Sequence, residues 1–171
     1  AARLGVPEVC VATGCGSDDV LDSAFRACGG SASDFVALAA PTFSMVRPFA
    51  AMNGMPARTV PWAAALDDPA RLLEGGPALV YVCRPNNPTG HVAPGAWVEA
   101  LLEAAGENGP VVVLDEAYVD FGGDTFAARA ASHPRLVVTR TLSKAYGLAG
   151  LRVGDAVAAP ATVFEFLARL D

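Results

Sequence analysis

Short apolar runs alternate with helix-period segments from one end of the chain to the other. Val9 to Ala12, Phe35 to Ala39, Arg58 to Val60, Ala78 to Cys83, Val111 to Asp115, Leu136 to Thr139 and Leu151 to Ala156 are predicted strands. Two stretches, Leu79-Val80-Tyr81-Val82 and Val111-Val112-Val113-Leu114, are apolar without alternation, as strands covered on both faces are. Between the strands, Ser17 to Ala27, Ser44 to Met52, Asp68 to Leu73, Gly95 to Ala105 and Phe126 to Ala131 are predicted helices. Ser17 is the expected N-cap of the first helix and Gly29 its stop. Pro48 fits the second only if that helix starts later or is kinked. This order specifies an α/β fold: three layers, α/β/α, around a mostly parallel mixed sheet of about seven strands.

One connection departs from the parallel rule. Only Arg140 to Gly150 separates the strand ending at Thr139 from the one starting at Leu151. Neighbouring parallel strands need a crossover of about a dozen residues or more. The last strand is therefore expected to run antiparallel to its predecessor, with Lys144 in the loop between them.

The chain has 171 residues, a one-domain length, and 53% of them are hydrophobic. A mean hydropathy of +0.37 requires much of it to be buried. The net charge of −6, with no basic run, argues against a nucleic-acid surface. No apolar stretch approaches the roughly eighteen residues of a membrane span, and the first residues lack the order of a signal peptide. A cytoplasmic protein without membrane or nucleic-acid partners is expected. Cys10, Cys15, Cys28 and Cys83 form no close pair, and with His91 and His133 make no metal-ligand pattern, so reduced, mostly buried thiols are expected. Ala1-Ala2-Arg3-Leu4-Gly5 has the look of a helix tail and Ala161 to Asp171 of a helix cut short, which suggests a piece of something longer.

Five loops follow predicted strand ends, where open α/β sheets place their ligands. Thr13-Gly14-Cys15-Gly16-Ser17-Asp18-Asp19 is a glycine turn feeding a helix, either a phosphate site or a plain helix start. It has neither the third glycine of a dinucleotide fingerprint nor the Gly-Lys-Ser/Thr of a P-loop. In Pro41-Thr42-Phe43 the ring could cover a planar ligand or belong to the core. Arg84-Pro85-Asn86-Asn87-Pro88-Thr89-Gly90 offers two amides on a stiff turn. Asp115-Glu116-Ala117-Tyr118 brings a carboxylate out of an apolar strand, where it needs a protonated ring nitrogen or a structural ion pair. The fifth loop holds Lys144, the only lysine of the chain, with Thr141, Ser143 and Arg152 around it. An amine on a flexible stem can form a Schiff base with an aldehyde, and Arg152 can clamp a phosphate or stand as a surface charge. The scarcity of lysine is a matter of composition, and its placement is the signal.

These motifs, in this order between residues 14 and 154, resemble the large domain of fold-type I pyridoxal-phosphate enzymes of the class I/II aminotransferases. They are most similar to the histidinol-phosphate branch. The resemblance implies that residues 1–171 are the cofactor-binding large domain, without its N-terminal segment and C-terminal small domain. It implies that Lys144 holds pyridoxal 5'-phosphate as a Schiff base and that Asp115 keeps the pyridine nitrogen protonated. Asn87 and Tyr118 would bond the phenolic oxygen, and Phe43 would stack on the ring. The phosphate would lie between the Gly16-Ser17-Asp18 backbone, with Asp18 giving its N–H, Ser143 and Arg152, and Thr141 would be a further cofactor-binding residue. The substrates implied are an amino acid or amino-phosphate and a 2-oxo acid, in a homodimer of the longer protein. A decarboxylase of a phosphorylated amino acid, such as threonine phosphate, and a non-catalytic cofactor-binding module are the rival readings. The isolated segment is expected to be inactive alone. Cys15, where the family usually has Asn, and Asp155, where it usually has Tyr, depart from the pattern.

Overall fold

Seven strands form one sheet in the order β1-β7-β6-β5-β4-β2-β3 in the computed structural model, which describes residues 1–167. The strands are β1 (Val11–Cys15), β2 (Val36–Ala40), β3 (Ala57–Pro61), β4 (Leu79–Cys83), β5 (Val111–Asp115), β6 (Leu136–Thr141) and β7 (Val153–Val157). Neighbours from β6 through β3 are parallel, and β7 runs antiparallel to both β6 and β1. The short loop after β6 thus has the consequence expected of it, and β7 is wedged between the first strand and the sixth.

The pleat sorts the side chains. Val80, Val82, Val112, Leu114 and Val138 point to one face, where α4 (Gly95–Ala105) buries Trp97, Val98, Leu101 and Leu102. The short helices α3 (Trp62–Asp67) and α5 (Ala127–Ala130) complete that layer. Leu79, Tyr81, Val113 and Val137 point to the other face. There α1 (Ser17–Cys28) lays down Val20, Leu21, Ala24 and Phe25, a helical stripe whose large members contribute roughly 1.5–3 kcal/mol each by leaving water. With α2 (Val46–Met52) and α6 (Pro160–Leu167) this makes three layers.

Several boundaries differ from the sequence expectation. The Val9 to Ala12 strand is a 3-10 turn, Glu8–Cys10, followed by β1, because pairing with β7 carries the extended chain on through Thr13 and Gly14. The expected start at Leu151 is instead a 3-10 turn, Ala149–Leu151, and a left-handed Arg152. Asp68 to Leu73 gives the 3-10 helix Pro69–Leu73, capped by the Asp68 carboxylate on the Ala70 N–H. Helix α2 starts at Val46, two residues later than expected, so Pro48 falls in the first turn where its missing N–H costs nothing. Ala2–Leu4 is a single 3-10 turn. Of the helix expected from Ala161 to Asp171, residues 168–171 lie outside the described residues.

Candidate active site

The sheet delivers chemistry at the carboxyl ends of its central strands, and alternation decides which side receives it. Asp115 continues the α1 face of β5 after Val111 and Val113, whereas Glu116 turns to the α4 side. On β6, Thr139 and Thr141 follow Val137 toward α1, and Arg140 goes the other way. A cavity of about 360 Å³ opens on the α1 side.

Asp115 lies at its floor. The carboxylate accepts from the Tyr81 hydroxyl (2.7 Å), the Ala117 N–H (3.1 Å) and the Thr139 hydroxyl (3.3 Å). Among the described residues no cation pairs with it. Burial pushes its pKa up, against these hydrogen bonds, which pull it down. Burial, and then Asp115 itself, pushes up the Tyr81 hydroxyl, and burial also raises the Cys83 thiol on the cavity wall.

On one side of the cavity stands the first turn of α1. Gly16 at φ 86° turns the chain into the helix and is itself the N-cap, so Ser17 is the first helical residue and not the expected cap. Both Ser17 and Asp18 line the cavity. Arg152 closes this side, its Nη2 donating to the Cys15 carbonyl at 3.4 Å. A Cβ on Gly16 would press on that guanidinium, and one on Gly154 would overlap the Gly16–Ser17 backbone. Free helix N–H groups, a hydroxyl and a guanidinium converge here as an anion cradle.

The rim is built by loops. Lys144 is exposed, with Nζ 5.7 Å from the Tyr118 ring centroid. Ser143 N–H is held by the Thr141 hydroxyl at 3.1 Å. Phe43 is half-buried, packed against the α1-side core while lining the cavity. Asn87 lines it as well, and its neighbour Asn86 does a different job. Asn86 is buried, donates to the Pro41 carbonyl and the Thr89 hydroxyl, and accepts from Thr42, tying the Phe43 loop to the Asn87 loop.

Every sequence-predicted site residue but Gly16 lines this one cavity, and Gly16 stands directly behind Arg152. Tyr81, Thr139 and Cys83 were missed. Tyr81 carries the one hydroxyl in Leu79–Cys83, which was the available signal. None of the four cysteines is in a disulfide; Cys10 and Cys83 are buried as expected, Cys28 is half-buried, and Cys15 is exposed, since its strand is a sheet edge. Asp155 sits opposite Arg140 on β6 and Thr13 on β1, partly buried, and among the described residues its Oδ2 has no hydrogen bond; burial pushes its pKa up, while the positive charges of Arg140, the N-terminus and Arg3 pull it down. Among the described residues no group of three His, Cys, Asp or Glu is placed to hold a metal, and no helix is long and apolar enough to cross a membrane.

Several proteins are similar to this chain in sequence or fold. A histidinol-phosphate aminotransferase of Thermococcus kodakarensis is 38% identical over 169 residues, covering 97% of this chain and 48% of that protein. One from Pyrococcus furiosus is 35% identical over 157 residues, covering 90% of this chain and 44% of its own length. The solved histidinol-phosphate aminotransferase of Sinorhizobium meliloti in complex with pyridoxal-5'-phosphate superposes with a TM-score of 0.89 at 30% identity, over 98% of this chain and 47% of that one. The L-threonine-O-3-phosphate decarboxylase of Porphyromonas gingivalis, at TM-score 0.84, 23% identity and coverage of 98% and 52%, shares the fold. The chain spans less than half the length of the curated relatives described here. The family pattern described as aminotransferase class I and II matches residues 2–171, and the chain belongs to that family.

Proposed function

We propose that residues 1–171 are the cofactor-binding domain of a pyridoxal-phosphate-dependent aminotransferase, acting on histidinol phosphate or a related amino compound with 2-oxoglutarate as amino acceptor. One observation carries the reading: a buried carboxylate with no ion pair among the described residues, Asp115, at the floor of a cavity whose rim holds the only lysine. That donor set fits pyridoxal phosphate. A protonated ring nitrogen is the partner that the desolvated Asp115 carboxylate lacks, and the Gly16–Ser17 cradle with Arg152 suits the phosphate.

Bound there, the cofactor would supply an electron sink for charge developing at the substrate's α-carbon. Asp115 would hold a proton on the ring nitrogen. Arg152, the Ser143 hydroxyl and the N–H groups of Ser17 and Asp18 would bind the phosphate, and Asn87 and Tyr118 would donate to the phenolic oxygen. Phe43 would cover one ring face and exclude water from it. Lys144 Nζ would anchor the cofactor, then carry a proton away from the substrate α-carbon as general base. Thr141 would hold Ser143 in place through the bond it already makes.

A homodimer is the proposed working unit. The apolar Met45 (38% exposed) lines the cavity, and Leu148 (40%) and Leu151 (63%) are the chain neighbours of its lining residues Ala149 and Arg152, exposed apolar groups suited to contact with a second copy. Glutamate tests the reaction in the longer protein. An aminotransferase leaves the cofactor in its amine form after one half-reaction, with 2-oxoglutarate released; carbon dioxide release without that change would favour the decarboxylase instead. Lys144→Ala should abolish turnover and covalent capture under borohydride while phosphate-dependent binding persists. Turnover of that variant at the wild-type rate ends the proposal.

A further inference from the structure

The loop carrying Lys144 has few anchors. Residues 144–152 are exposed, and within the loop Gly147 N–H bonds the Lys144 carbonyl (3.0 Å) and Leu148 N–H the Leu142 carbonyl (3.1 Å). Among the described residues, one side chain from 144 to 151 reaches out of the loop by a hydrogen bond. The Tyr146 hydroxyl donates to Asp120 Oδ1 at 3.2 Å.

Asp120 is itself firmly placed. Its side chain is 22% exposed, and Arg140 Nη2 donates to both carboxylate oxygens at 3.3 and 3.4 Å. Arg140 is 8% exposed, is fixed by the Thr125 hydroxyl at 3.2 Å, and lies 3.6 Å from the buried Glu116 carboxylate. Asp120 therefore helps neutralise a guanidinium held out of water, a contact that resists being given up. Arg3 adds a 2.7 Å contact, but its own side chain is 59% exposed, so that pair alone would hold little. Arg3 also lies over the Tyr146 ring, 4.6 Å from its centroid.

The spacing gives this cluster its meaning. Asp120 follows Tyr118 by two residues, and Tyr146 follows Lys144 by two. The Tyr146–Asp120 bond ties the turn carrying Tyr118 to the loop carrying Lys144, and the buried Arg140 fixes both to β6. We propose that Asp120 is a positioning residue: through Tyr146 it holds the Lys144 loop against the Tyr118 turn and sets where the amine meets a carbonyl at the cavity mouth. The proposal rests on Lys144 being the reactive amine. A nucleophile held in place reacts faster than one that must find its orientation.

The test compares wild type with Tyr146→Phe, Asp120→Ala and Asp120→Glu. In the cofactor-free chain, hydrogen exchange at the Gly147 and Leu148 amides should quicken about fivefold in Tyr146→Phe and Asp120→Ala, the order expected from losing one net hydrogen bond. Strands β4 and β5 should keep wild-type exchange. With pyridoxal phosphate added, the same two variants should be trapped on Lys144 by borohydride about fivefold more slowly. Their induced circular dichroism per bound cofactor should also be weaker, a signal that a loss of global stability would not move. Asp120→Glu should restore all three. Unchanged loop exchange overturns the proposal, as does faster exchange spread over the whole chain, or capture and dichroism equal to wild type. If wild type captures no pyridoxal phosphate, the cofactor reading fails, and the exchange arm alone decides whether Asp120 holds the loop.

Discussion

Asp115 makes the folded chain sensitive to pH in a direction opposite to that of most carboxylates. Burial raises its pKa, so the folded state binds the proton more tightly than the unfolded state does. From the ordinary carboxylate value, about 4, up to the raised value, stability is lost as pH rises. Glu116 and Asp155 are raised by burial too and act in the same sense, while burial lowers the His133 pKa and opposes them at higher pH. A difference measurement removes those contributions. In the cofactor-free chain, the melting temperature of Asp115→Asn should exceed that of wild type by a margin that grows as pH rises through the window. A margin independent of pH would show that Asp115 does not titrate there. In the longer protein, the same substitution should slow the proposed amino transfer about a hundredfold, the scale of removing one preorganised electrostatic group, as steady-state rates would report. Asp115 was legible in the sequence because a carboxylate at the end of Val111-Val112-Val113-Leu114 is chemically conspicuous. Tyr81, which bonds it, was not, since a tyrosine inside an apolar strand reads as core until the pleat is known.

Among the elements, β7 decides the shape of the anion cradle. It is inserted antiparallel between β1 and β6, and Gly154 faces Gly14 on one side and Thr141 on the other. A methyl group there would overlap the Gly16–Ser17 backbone, which belongs to the helix start and cannot swing aside as a side chain would. Gly154→Ala should therefore destabilise by about 1–3 kcal/mol, the usual cost of overpacking, and weaken phosphate binding together with it. Urea unfolding and equilibrium dialysis with pyridoxal phosphate would show both; a variant with wild-type stability and affinity would mean that the contact has slack. The direction of β7 was readable from the length of one loop, but its start was not. Leu151 is apolar yet 63% exposed, and the strand begins only after the left-handed Arg152. In the edge strand beside it, Thr13-Gly14-Cys15 has no strand pattern of its own and is extended because β7 pairs with it. Helix α3 escaped notice because Trp62 follows β3 with no intervening turn signal.

Across the whole molecule, the sheet separates two kinds of polar chemistry by one pleat. Cavity groups emerge on the α1 face, and the buried ions Arg84, Glu116 and Arg140 emerge on the other, where Arg84 meets Asp124 at 2.6 Å. The first set was visible in the sequence as motifs at strand ends. The second was not, because its members come from separate segments and share no spacing. That division also bounds what the 171 residues can do by themselves. All the groups proposed to hold the cofactor line or back a single cavity, so the chain alone should capture pyridoxal phosphate on Lys144. The cations lining that cavity are Lys144 and Arg152, and both are committed to the cofactor in the proposed arrangement. An amino-acid substrate brings a carboxylate that needs a further cation or a set of donors to orient it. The chain loaded with pyridoxal phosphate and given glutamate should keep its lysine-bound absorption band and release no 2-oxoglutarate over hours. Conversion at a rate typical of an enzyme, about one per second or faster, would mean that these 171 residues already orient the substrate carboxylate, and that Arg152 or Lys144 serves it as well as the cofactor.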